Sequence, residues 1–120
     1  MNRALILTSN RIDSRTIVKD LYSKAIERDR PITVRQFPSY FDVLIDNHDM
    51  IEIKATKMND SIKGKRVDFL IMTQYFFNET SNDIIGSILM PMLSFNADNI
   101  HIINPNENND WLYEKLFFTS

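Results

Sequence analysis

Apolar side chains fall along this chain in two rhythms. Short unbroken or alternating runs mark strands, and recurrences every three or four residues mark helices. Arg3 to Thr8, RALILT, reads as a buried strand. A polar turn follows over Ser9 to Asp13. Ser14 or Asp13 then offers a side-chain oxygen to cap the free amides of a helix start. The helix itself shows the stripe Ile17, Val18, Leu21, Tyr22, Ala25 and Ile26, an amphipathic face, and Pro31 stops it. Strands are predicted over Ile32 to Phe37, Phe41 to Ile45 and Met50 to Ala55. Asn47-His48-Asp49 forms the turn between the last two. A loop from Lys57 to Arg66 leads into Val67 to Met72, the most apolar run. Such a run suits a strand buried on both faces, as in a parallel sheet covered by helices. Ser81 or Asn82 caps a second helix with the stripe Ile84, Ile85, Ile88, Leu89, Met92 and Leu93, which Pro91 kinks or shortens. Asn99 to Ile103 is a strand ended by Asn104-Pro105. Asn106 to Asp110 is a turn, and Trp111 to Phe118 a terminal helix. This succession predicts an α/β fold: a three-layer sandwich with a mainly parallel sheet, one domain over residues 1–120.

Composition narrows the function classes. The chain is 43% apolar and 25% charged, the balance of a globular protein rather than a disordered one. No apolar run approaches the ~18 residues of a membrane-spanning helix, so no membrane partner is expected. Ala4 to Leu7 is too short for the core of a secretion signal. The expected location is therefore cytoplasmic, the host cytoplasm if the protein is viral. Cysteine is absent, which excludes disulfides and thiolate metal sites. Two histidines, His48 and His101, do not suffice for a histidine-built metal centre, and two glycines do not suffice for the usual Gly-rich phosphate loop. No metal and no cofactor is expected.

Charge is uneven. Residues 1–77 carry 13 basic and 10 acidic side chains, whereas residues 78–120 carry one basic and six acidic. A basic front and an acidic tail would orient the molecule on a partner, although ordinary solvated surface yields the same counts. The 16 isoleucines and 12 asparagines have AT-rich codons and point to a low-GC genome, such as that of a virus or phage.

The first strand runs into Ser9-Asn10-Arg11-Ile12-Asp13-Ser14-Arg15-Thr16 and then a helix. The phosphate loop GxxxxGK[ST] has the same setting and spacing. Here Ser9 and Ser14 stand for the glycines and Arg15 for the lysine; only Thr16 agrees. The glycines let backbone amides wrap a phosphate, and the lysine is a compact bridging charge, so the replacements remove most of that chemistry. Ser9, Ser14, Arg15 and Thr16 remain a candidate weak anion site, because amides at a helix start attract phosphate. Further on, Phe69 to Met72 resembles the hydrophobic strand of a Walker B motif, but Thr73 and Gln74 replace the carboxylates that hold Mg²⁺ and polarise water.

With Ile62 to Asp68, Ile88 to Leu93, and Ile100 to Pro105 followed by Trp111-Leu112-Tyr113, the chain resembles the ATPase domain of viral packaging motors, the terminase large subunits, and of related helicases. The resemblance lies in the order of elements over most of residues 3–113. It implies a P-loop NTPase-like fold that has lost ATP hydrolysis. Full domains of that family are longer, so it further implies a truncated sheet with an uncovered edge, which invites pairing with another chain.

A second constellation competes with the first. Asp42 lies on one predicted strand, and Glu52 and Lys54 on the next, in the D…ExK order of PD-(D/E)XK nucleases. Alternation puts Glu52 and Lys54 on one strand face. Asp42 and Glu52 would hold Mg²⁺, Lys54 would orient the attacking water, and Glu27 would add a carboxylate. Charges on an edge strand explain the same residues without catalysis.

Smaller signals complete the reading. Lys57, Lys63, Lys65 and Arg66 form a basic cluster suited to phosphates, which makes nucleic acid a candidate partner. His48 sits among Asp46, Asn47 and Asp49 as a solvated turn residue, and His101 as a packed strand residue. The pairs Phe76-Phe77 and Phe117-Phe118 would each bury one ring and present the other to a partner. The expectation is a non-catalytic binding protein that associates with a nucleic-acid motor, an assembly or itself. The alternatives are a small Mg²⁺-dependent nuclease and a purely structural assembly subunit.

Overall fold

The computed structural model describes residues 3–38, 40–46, 49–55, 67–80, 83, 86 and 100–118. Of the predicted turn Asn47-His48-Asp49, Asp49 belongs to a strand and the other two residues lie outside the described residues, as do the basic loop 57–66 and the stripe residues Ile84, Ile85, Ile88, Leu89, Met92 and Leu93. Six strands form one sheet: β1 (Arg3–Thr8), β2 (Ile32–Gln36), β3 (Tyr40–Ile45), β4 (Asp49–Ala55), β5 (Phe69–Thr73) and β6 (Ile100–Ile103). Their order across the sheet is β2-β3-β4-β1-β5-β6. β1 is parallel to β4 on one side and to β5 on the other, and β5 is parallel to β6. β2, β3 and β4 form an antiparallel meander, so the sheet is mixed but mostly parallel. The fold is α/β. Among the described residues there are three helices, α1 (Arg11–Glu27), α2 (Gln74–Glu79) and α3 (Asp110–Phe118). None is long and apolar enough to cross a membrane.

Side-chain alternation divides the core between the two sheet faces. Ala4 and Ile6 of β1 join Phe41, Val43, Ile51, Ile53 and Ile71 under Ile17, Leu21 and Ala25 of α1 and Leu112 and Leu116 of α3. Leu5 and Leu7 point the other way, to Val67, Leu70, Met72 and Phe76, the last from α2. Every residue of β5 is buried. The run Val67 to Met72 was expected to be a strand covered on both faces; the strand is Phe69–Thr73, and it is covered so because it runs between two parallel neighbours with helices on both sides.

Local chemistry sets the helix ends. Asn10, not Ser14 or Asp13, caps α1: its side chain accepts from the Asp13 amide. Ser14 is already inside the first turns. At the far end, the helix stops at Glu27, ahead of Pro31. Arg30 N–H donates to the Ala25 carbonyl at 2.9 Å and Asp29 N–H to Ile26 at 3.1 Å. These are the crossed bonds of a left-handed helix stop, with Asp29 at φ 52°. The expected inner stripe is also corrected. Ile17, Leu21 and Ala25 are buried, but Tyr22 and Ile26 are exposed. Ser14 and Lys24 take buried places instead, because each finds a polar partner there.

Candidate functional site

Two regions gather the polar residues that the chain's patterns single out. The first is the β1–α1 junction. β1 is central in the sheet, and only Ser9 and Asn10 separate it from the helix. Asn10 Oδ1 accepts the Asp13 amide at 2.8 Å, and Asn10 Nδ2 donates to Asp13 Oδ2 at 3.2 Å. Thr8 Oγ1 donates to the Asn10 carbonyl at 2.9 Å, and the Thr8 and Ser14 hydroxyls meet at 2.7 Å in the interior. Since Thr8 gives its proton to Asn10, Ser14 is the donor to Thr8. Arg11 reaches sideways, donating to the Phe37 and Pro38 carbonyls at 3.1 and 2.8 Å, with its guanidinium 4.7 Å from the Phe41 ring centroid.

This geometry scatters the expected anion group. Ser14 is buried and turned to Thr8. Thr16 donates back to the Ile12 carbonyl at 3.1 Å. Arg15 is exposed a full turn into the helix, and Ser9 stays at the strand exit. A phosphate loop wraps its anion before the helix begins, whereas here the helix begins at Arg11. The Asp13 carboxylate already lies in its first turn, where it complements the positive end of the helix and repels a second anion. The end of β5 follows the same pattern. Thr73 is buried and caps α2 by accepting the Phe76 amide at 3.2 Å, and Gln74 bonds Asn78 at 2.9 Å.

The second region is the β2-β3-β4 meander. Asp42 and Glu52 are directly opposed across β3 and β4, and Arg35 is opposite Asp42 on β2. Arg35 Nη2 lies 3.7 Å from Asp42 Oδ2. Cross-strand neighbours share a face, so the three form one row. Phe41, Val43, Ile51 and Ile53 face α1, so this row faces the other way. Glu27, at the end of α1, is therefore across the sheet from Asp42 and Glu52 and does not join them. Lys54 is in register with Tyr40 and Leu7. Among the described residues, no group of three or more histidine, cysteine, aspartate or glutamate side chains is placed to hold a metal ion.

The α1–α3 seam holds polar contacts that no motif announced. Lys24 Nζ lies 2.9 Å from Glu114 and 3.9 Å from Asp110, with 7% of its side chain exposed. Arg28 also pairs with Glu114. The hydrogen bond to Glu114 holds the Lys24 ammonium above its ordinary value, and Lys24 followed by Arg28 holds the Glu114 carboxyl below its own. Burial first, then the neighbouring Asp110, raises Asp20. The Tyr113 hydroxyl is buried; burial first and then the charge of Asp20 push its titration up. His101 stands edge-on to Trp111 with ring centroids 5.4 Å apart. Burial and Lys115 lower its titration, which keeps the ring neutral. The i, i+4 spacing of Lys24 and Arg28 was the available signal for this seam, but it did not reveal a partner 86 residues away.

Compared with known proteins, the chain matches no family model, no curated protein and no solved structure.

Proposed function

We propose that this is a non-catalytic binding protein on a P-loop-like, truncated α/β scaffold. It associates with a nucleic-acid motor, with an assembly or with itself, in the cytoplasm of a virus-infected host. The single observation that carries this reading is the β1–α1 junction. A phosphate-binding enzyme keeps its first-turn amides free for the anion. In this chain the Asn10 side chain takes the Asp13 amide, and the Thr8 and Ser14 hydroxyls bond each other. Thr73 and Gln74, where a motor would carry its carboxylates, are used in capping α2 and in a surface bond to Asn78. The isoleucine- and asparagine-rich composition supports the viral source.

Titration with MgATP tests it. No heat, no shift in melting temperature and no phosphate release are expected, and a pull-down from the source should return the same protein partner with and without MgATP. Saturable MgATP binding or turnover contradicts the reading.

One observation favours a second reading, a Mg²⁺-dependent nuclease: Asp42 and Glu52 oppose each other on neighbouring strands and share one face of the sheet. Incubation with DNA and Mg²⁺ distinguishes the two. Cleavage that is lost in Lys54→Ala and in Glu52→Gln supports the nuclease, and intact DNA rejects it.

A further inference from the structure

The solvent side of α1 carries a second stripe, distinct from its core face. Ile12, Arg15, Lys19, Tyr22 and Ile26 are all exposed, the three apolar ones by 75, 49 and 57%. Their spacing is three, four, three, four: the a and d positions of two heptads, ending on a third a. Of the core-side residues, Ser14, Ile17, Leu21 and Lys24 fall at c and f and Ala25 at g, so the stripe is turned away from the sheet. Solvent-facing helix positions are ordinarily polar. Here apolar residues hold both ends, and the two in the middle are cations. Among the described residues neither Arg15 nor Lys19 has a carboxylate within ion-pair distance.

We propose that this face docks an acidic amphipathic helix of a partner protein, with apolar side chains against Ile12, Tyr22 and Ile26 and carboxylates against Arg15 and Lys19. The 3-4 spacing is what a second helix needs for knobs to enter holes. The central cations select the partner's charge and penalise wrong ones. A second copy of the same face does not fit. Antiparallel pairing opposes Lys19 to Lys19 of the partner subunit, and parallel pairing opposes both cations to their equals. A membrane surface also fits poorly, since an interfacial helix buries its apolar centre and keeps its cations on the polar side, whereas here the cations occupy the centre. The inference rests on the binding-protein reading and names its surface and partner class.

The probe is a synthetic helical peptide of about three heptads, with leucine at the outer a and d positions and glutamate at the central ones. A twin peptide carries lysine in place of glutamate. Fluorescence anisotropy should show the glutamate peptide binding about tenfold or more tightly than its twin. The protein with Arg15→Glu and Lys19→Glu should reverse that preference, and Ile12→Ser with Tyr22→Ser and Ile26→Ser should lose both peptides. All five side chains are exposed, so the variants should melt like the parent. Absence of binding, equal binding of the twins, or binding that survives the variants overturns the proposal. So does binding to phosphatidylserine vesicles, or a dimer in sedimentation, that these variants abolish. MgATP turnover would end the reading beneath it, a result that no peptide measurement imitates.

Discussion

Single side chains control the entry to α1 and its exit. Asn10 takes the orphan Asp13 amide, so Asn10→Ala should cost about 1 kcal/mol in urea denaturation. Thr8→Val strands the buried Ser14 hydroxyl and should cost about 1–3 kcal/mol. Adding Ser14→Ala should recover part of that loss, because the second group no longer lacks a partner. At the exit, Asp29 is in the left-handed region, which a Cβ disfavours, and Asp29→Gly should raise stability by about 1 kcal/mol. A capped helix start was readable between Ser9 and Ser14, since several residues there are good caps. Which of them caps depends on where the strand releases the chain. β1 pairs with β4 as far as Thr8, and the Thr8 hydroxyl holds the Asn10 carbonyl. That pairing joins residues nearly fifty positions apart, so local pattern alone named the wrong cap.

Between elements, ion pairs across the α1–α3 seam and the His101–Trp111 ring contact between β6 and α3 hold the elements together. Helical period marked α1 and α3 correctly as amphipathic. It misassigned the inner face of α1, because Lys24 counts as polar until Glu114 and Asp110 are in view. A pH prediction belongs here. The His101 imidazole titrates below its ordinary value of 6.5, by burial first and Lys115 second. The unfolded chain therefore takes up the proton first. The stabilising effect is complete above pH 6.5 and is lost as pH falls through the lower folded value. His101→Phe keeps a ring against Trp111 and removes this titration. Denaturation at steps from pH 7.5 to 5 should fall less steeply for the variant than for the parent. Two other groups are separable from it. Glu114 titrates below the ordinary carboxylate value, so its contribution is lost only in more acid solution. Asp20 titrates above it, so its effect runs the opposite way, with stability lost as pH rises through its folded value.

Across the whole molecule, the sheet separates two cores, with α1 and α3 over one face and α2 over the other. Leu70 and Ile71 are neighbours on β5 that enter opposite cores, and both are fully buried. Leu70→Ala and Ile71→Ala should each cost about 2–5 kcal/mol by urea denaturation, while Ile102→Ala, on an exposed side chain, should cost less than either. All six described strands were legible from apolar runs, with ends shifted by one or two residues, and β5 was legible even as doubly buried, because the density of apolar residues is a local property. The short helix α2 was not, since Gln74 to Glu79 mixes polar residues with two phenylalanines, of which Phe76 is buried and Phe77 packs half-buried against the core. The candidate sites were legible as residue types and not as sites. Glu27 looked available to Asp42 and Glu52, yet the sheet stands between them; Arg35, absent from the motif, is their actual neighbour. Strand and helix identity, the α/β class and the lack of disulfide chemistry could be read from the chain, because period, run length and residue type are carried by neighbours in sequence. The place of β1 between β4 and β5, the cap of α1 and the exposure of its heptad stripe belong to the folded molecule. They depend on pairing and burial among residues far apart along the chain, which no local pattern encodes.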